Sequence, residues 1–225
     1  MRYDIVKNPV GMVDFVMDWN DKVTAEAGAM VYMRGDITTN TRTREGGLFR
    51  TLKSTVLAGE SFFVNEFTAQ EDNCMLGVTG NVLGDIDVIH VDEEYIIQSG
   101  SYVASTGTIT LDTKWQGFTK GIFGSNLFML KTIGTGDVFV DGWGGIRKVT
   151  LKADESMILD NYQLVALSGT IQYDVRRHGS FKTTIFGGEA LVTEITGPGV
   201  VYYQTKNLME FARALSPLLP KERRF

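Results

Sequence analysis

Three stretches of the chain align without gaps: EAGAMVYMRGDIT from Glu26, QSGSYVASTGTIT from Gln98 and DNYQLVALSGTIQ from Asp160. Each has a valine four residues before a glycine, as Val31 to Gly35, Val103 to Gly107 and Val165 to Gly169. Each has an isoleucine two residues after that glycine, at Ile37, Ile109 and Ile171. An internal repeat restricts the fold strongly, because every copy must form one supersecondary unit that shares its core with the next. Beyond the glycine the pattern has period two. Ile109, Leu111 and Thr113 alternate with Thr110, Asp112 and Lys114, and Ile171, Tyr173 and Val175 alternate with Gln172, Asp174 and Arg176. Such alternation predicts a strand with one face in the core and one in water, and the glycine marks a turn or bulge.

A second motif recurs as AGESFFV near Gly59, TGDVFVD near Gly136 and PGVVYYQ near Gly199. Between the motifs, KGIFGSNLF and TTIFGGEAL share Ile-Phe-Gly, at Ile122 to Gly124 and Ile185 to Gly187. The glycine-rich run TIGTGDVFVDGWGG, Thr132 to Gly145, is therefore read as turn-then-strand chemistry. A phosphate loop needs a helix directly after its glycines, and DVFVDGWGG cannot start one. Gly142, Gly144 and Gly145 are read as a further hairpin. Asn8 to Trp19 offers a weaker helix, but its mixed pattern reads more like a strand. One helix is predicted over NLMEFARAL, with Asn207 as N-cap, Glu210 three residues on and Pro217 as the stop; it is expected to pack on the sheets. The fold class is all-β with a C-terminal helix, in a single domain of three units, approximately residues 1–80, 81–150 and 151–225.

The net charge of −5 argues against nucleic acid as a partner, since phosphate neutralisation needs a basic field. The lone Cys74 leaves no intramolecular disulfide and no cysteine-cluster metal site. No window is apolar over the length of a membrane span, and MRYDIVKNPV has no signal-like apolar core. A soluble, cytoplasmic protein is expected.

The segments TKWQGFTKGIFGSNLFMLKTIGTGDVFVDGWGGI and TIFGGEALVTEITGPGVVYYQT resemble the signature segments of the family named for altered inheritance of mitochondria protein 24. The likeness runs over nearly the whole chain, with several motifs in order. It implies a fold similar to the tryptophan RNA-binding attenuation protein. Three such units, short β-sandwich or double-stranded β-helix repeats, would lie in each chain and nine in a homotrimeric ring. It implies no catalytic residues, and links the family's eukaryotic members to mitochondrial inner-membrane organisation. Fold does not carry function with it.

Candidate chemistry is sparse. His90 lies near Asp85, Asp87, Asp92, Glu93 and Glu94, but Asp85 and Asp87 share one strand face while His90 takes the other. No His-x-His or His-x₃-His spacing supports a metal site. No nucleophile elbow is present, and Cys74 has acidic neighbours that disfavour a thiolate. Glu60 and Glu189 fall in the repeated turns. The polar feature of most interest is a recurring pair: Asn40 with Arg42, Asp112 with Lys114, and Asp174 with Arg176. These six residues are candidates for anion or subunit contacts. The simpler reading is a solvated strand face whose charges discourage edge pairing. The expected function is a non-catalytic, homo-oligomeric scaffold or assembly factor without cofactors, with itself as partner, a homotrimer. The alternative is a ring that binds a small ligand or single-stranded nucleic acid, and a metal-assisted enzyme stands third.

Overall fold

The computed structural model describes residues 1–7, 10–43, 63–112, 129–177 and 191–219. The repeated glycines Gly59, Gly124 and Gly187, the Ile-Phe-Gly motifs, Glu60, Glu189 and Lys114 lie outside them. After β1 (Arg2–Val6) come β2 (Met12–Met17), β3 (Lys22–Glu26), β4 (Met30–Arg34), β5 (Ile37–Thr43), β6 (Phe63–Ala69) and β7 (Cys74–Val78). Next are β8 (Gly84–Val91), β9 (Tyr95–Gln98), β10 (Tyr102–Ser105), β11 (Thr110–Asp112), β12 (Met129–Ile133) and β13 (Gly136–Trp143). The last set is β14 (Ile146–Leu151), β15 (Ser156–Asp160), β16 (Leu164–Ser168), β17 (Gln172–Arg177), β18 (Leu191–Thr196) and β19 (Gly199–Gln204), then helix α1 (Leu208–Leu215).

The strands form four antiparallel sheets, ordered β1-β2-β7-β4, β5-β6-β3-β10-β13-β8, β11-β12-β9-β16-β19-β14 and β15-β18-β17. Three apolar cores lie between successive sheets. Phe15, Leu76 and Phe139 centre the first, Ile89, Tyr102 and Tyr202 the second, and Leu164, Ile195 and Val201 the third. The two middle sheets are therefore apolar on both faces, and the two outer sheets on one.

The repeated valine acquires a geometric reason here. In each of β4, β10 and β16 the register slips by one residue opposite its partner: between Met30 and Tyr32, between Tyr102 and Ala104, and between Leu164 and Ala166. Val31, Val103 and Val165 are the bulged residues. A bulge bends a strand and re-aims its side chains, which fits strands that feed two cores. Gly35 and Gly107 then take positive φ, +90° and +70°. Gly169 does not. Its amide donates to the Glu94 carbonyl, and a Cβ there would press on the Glu94 side chain.

Several expectations need correcting. Gly144 and Gly145 do not close a hairpin: β13 pairs with β8 and β10, whereas β14 pairs with β19 in another sheet. The glycines make a sheet-to-sheet crossover, with Gly144 at φ +73°. The second motif also mixes two strand types. The strand after AGESFFV begins is β6, which pairs with β5 and β3, while TGDVFVD and PGVVYYQ begin β13 and β19, the partners of the bulged strands. In the first unit that place belongs to β7, paired with bulged β4 and entered through Asn73 at φ 60°. Asparagine tolerates the left-handed region better than other non-glycine residues, so a search for glycine passes over this turn.

Helix α1 is capped as predicted, the Asn207 side-chain oxygen accepting from the Glu210 amide at 2.9 Å. No residue of the helix is buried, and the Phe211 ring lies tilted over Trp143 of β13 at 5.3 Å. Asn207→Ala should cost about 1 kcal/mol and speed hydrogen exchange at the Glu210 amide, measured by NMR, while amides of β13 and β19 keep their protection.

Candidate functional site

The glycine-rich crossover borders a candidate ligand cleft. A small open cleft is lined by Lys7, Gly84, Asp85, Gly144 and Gly145. Its charges are paired, Lys7 Nζ lying 3.2 Å from Asp85 Oδ2. Its amides are used as well: Gly84 donates to the Val82 carbonyl, Gly144 to the Leu83 carbonyl and Gly145 to Thr205 Oγ1. A cradle for phosphate needs free amides, and these three have partners.

His90 faces Asp137 across the β8–β13 pair, with Nδ1 2.6 Å from Oδ1. Asp85 and Asp87 lie opposite Gly142 and Val140, on the other face. Among the described residues, no group of three or more His, Cys, Asp or Glu converges as a metal site would require. Cys74 is fully buried, and its thiol donates to the Asp36 and Glu71 carbonyls.

Five of the six residues singled out from the repeat lie on three strands of three different sheets. Asn40 on β5 stands opposite Glu66, Asp112 on β11 opposite Lys131, and Asp174 on β17 opposite Glu194. Each of those strands is the outermost of its sheet. Asn40 and Asp174 are exposed and Asp112 is half-buried. The backbones of Arg42 and Arg176 pair with Val64 and Val192. Their side chains, like the whole of Lys114, lie outside the described residues.

One buried polar group had no sequence signal. Asp141 on β13 is 2% exposed, and among the described residues neither carboxylate oxygen receives a well-formed hydrogen bond, the backbone amides of Asn81 and Val82 only lying near. Gly80 packs so close that a Cβ there would overlap Oδ2. Burial pushes the carboxyl up to about 7, outweighing the nearby backbone amides of Asn81 and Val82, which hold it down in part.

The largest irregularity lies at the two ends of the sheet stack, where strands β4 and β15 are left as edges. β4 exposes Met30, Val31 and Met33, and β15 exposes Ile158. At the aligned positions elsewhere the side chains are inside, except Thr24, the first unit's counterpart of Ile158, which is half-buried. Val31 is 51% exposed while Val103 and Val165 are fully buried, and Ile158 is 51% exposed while Ile96 is 3% exposed. Exposed apolar edge strands with unpaired backbone groups are templates for another chain.

Layered antiparallel sheets, a bulge recurring in one strand type and terminal sheets with bare apolar edges define an all-β protein of stacked, edge-open sheets. No helix among the described residues is long and apolar enough to cross a membrane. Residues 3–206 match the family described as mitochondrial biogenesis AIM24, and the chain belongs to that family. An uncharacterised protein of Streptococcus pyogenes serotype M6 is 29% identical over 98% of this chain and 92% of its own length. A crystal structure of a protein from Streptococcus pyogenes superposes with a TM-score of 0.75 at 28% identity, covering 97% of this chain and 99% of that one.

Proposed function

We propose that this protein is a non-catalytic β-scaffold that works as a homo-oligomer. The observation behind the reading is the burial contrast along the repeat. Val31, Met33 and Ile158 lie bare at the two ends of the chain, while Val103, Val165, Leu167 and Ile96, their counterparts between units, are buried. Met30, Val31, Met33 and Ile158 are 42–51% exposed, so covering them recovers roughly half of the 1.5–3 kcal/mol that burial of each whole side chain is worth. Two such ends on one chain favour a head-to-tail assembly, which closes into a ring or runs on as a filament. The trimer is the closed form that the family resemblance implies. In this reading the outer strands β5, β11 and β17 stay free. The polar side chains of Asn40, Asp112 and Asp174 then guard those edges against unwanted pairing.

The test is the mass of the untagged protein in native mass spectrometry and light scattering at micromolar concentration. A discrete multiple of the chain mass is expected. A strictly monomeric particle overturns the reading.

A further inference from the structure

The two end sheets are the two halves of a sheet that the chain builds twice in the middle. The second sheet runs β5-β6-β3 and then β10-β13-β8, and the third runs β11-β12-β9 and then β16-β19-β14. In both, three strands of one unit join three strands of the next through a single antiparallel contact. That contact pairs Ala25 with Ala104 and Thr24 with Ser105 in β3·β10. In β9·β16 it pairs Ile97 with Ala166, Ile96 with Leu167 and Tyr95 with Ser168. The fourth sheet, β15-β18-β17, is the first half with no second. The sheet β1-β2-β7-β4 is the second half with no first, plus the extra strand β1.

Resting on the self-association reading, we infer that β15 of one copy pairs antiparallel with β4 of a second copy in the register of the two internal contacts. The repeat alignment makes Ile158 the counterpart of Thr24 and Ile96, and Met33 the counterpart of Ser105 and Leu167. The joint therefore sets Met33 opposite Ile158 of the neighbouring copy, Tyr32 opposite Leu159, and Arg34 opposite Met157. The faces agree. Met33 lies opposite Leu76, a residue of the first core, and its counterpart Leu167 lies in the third core with Ile96 beside it. Tyr32 points to the other face, its hydroxyl donating to Asp14. There it would meet Leu159, which already belongs to the third core of the neighbour. Bulged Val31 would enter that same core, as Val103 and Val165 enter theirs. The occupant of each edge is thus the opposite edge of the same protein, which makes the contact heterologous. A slip of one residue would turn Met33 and Ile158 to opposite faces, so the register is strongly specified.

A disulfide reads this register directly. Directly opposed antiparallel residues have Cα atoms about 4.5–5.5 Å apart, within the roughly 4.4–6.8 Å that a disulfide spans. Both substituted residues are exposed, and Cys74 is fully buried with its thiol held by the Asp36 and Glu71 carbonyls. The full chain carrying Met33→Cys and Ile158→Cys is oxidised gently, after its mass is taken by native mass spectrometry. Most of the protein should then run as covalent multimers on a non-reducing gel. The pair Met33→Cys with Leu159→Cys, whose side chains face opposite ways in this register, should not cross-link, nor should either single variant. An oligomer that cross-links only through Met33→Cys with Leu159→Cys, or through one cysteine alone, overturns the joint but leaves self-association standing. A monomer before oxidation overturns both. As a second measurement, Met33→Lys and Ile158→Lys should each collapse to monomer, and their equimolar mixture should give a dimer through the one intact joint. A mixture that stays monomeric also counts against the head-to-tail contact.

Discussion

Asp141→Asn should make the protein more stable by about 2–3 kcal/mol at neutral pH and above, and less stable by about 1–2 kcal/mol near pH 4. The carboxylate is buried, no well-formed hydrogen bond reaches it among the described residues, and burial pushes it up to about 7 from the ordinary value of 3.8. Below about pH 4 both folded and unfolded chains hold the proton, and no penalty exists. As pH rises from 4 towards 7, the unfolded chain releases the proton while the folded chain keeps it. Stability then falls by about 1.4 kcal/mol per pH unit, levelling off above 7 at a total loss of about 4 kcal/mol. Asparagine has the same shape and does not titrate, so it removes this slope. Its amide nitrogen finds no acceptor, which returns about 1–2 kcal/mol of the gain. Urea unfolding of both proteins at pH 4.5, 6, 7 and 8 would show the difference opening with pH, because every other carboxylate cancels in the comparison. A variant less stable than its parent at every pH would mean that the carboxylate has a partner that holds it ionised.

Asp141 also marks where periodicity stops being informative. In the run VFVDGW, strand alternation would place every second residue in water, yet Val138 to Gly142 are all buried. β13 belongs to a sheet packed on both faces, and such strands read as continuous apolar runs in which a polar residue does not announce its own burial. Where one face is open, alternation worked: Gln172 and Asp174 are exposed while Ile171 and Tyr173 turn inward. Local chemistry was equally legible. Asn207 caps the helix, and the glycine of each repeat follows the bulged strand, because both effects act within a few residues. Pairing between distant strands was not legible. Gly144 and Gly145 suit a hairpin and a crossover equally well, and only the partners of β13 and β14, far away in the chain, decide between them. The exposure of α1 was hidden for the same reason, since an apolar stripe shows that a face needs cover but not what supplies it. The bare edges at β4 and β15 could be seen in outline only. The repeat tells that units meet, while the strand order tells which strands do the meeting.

Phe139→Ala should cost about 3–5 kcal/mol, the largest loss expected from a single truncation in the first core. Phe139 is fully buried and meets two rings edge-on: Tyr3 at 4.9 Å and 89°, and Phe15 at 5.1 Å and 87°. Perpendicular rings at this spacing add about 0.5–1.5 kcal/mol beyond the area they bury. The three come from β13, β1 and β2, so the cluster joins the first sheet to the second. These two sheets share no strand pairing, and side-chain packing is what holds their faces together. Little can relax into the space, because the ring's neighbours are anchored on strands of two sheets. Phe139→Leu keeps part of the volume and should recover roughly half of the loss. Double-mutant cycles separate the ring contacts from the cavity. Phe139→Ala with Phe15→Ala should be less destabilising than the sum of the two, by about 0.5–1.5 kcal/mol. Additivity would mean that the rings contribute only volume. The same loss should reach the edge two strands away, since β4 hangs from β7 and β2 in the first sheet. A first sheet loosened from the second presents its edge less firmly. Phe139→Ala should therefore dissociate at a higher protein concentration than the parent, measured by light scattering across a dilution series. An unchanged dissociation concentration would show that the edge keeps its geometry without the core behind it.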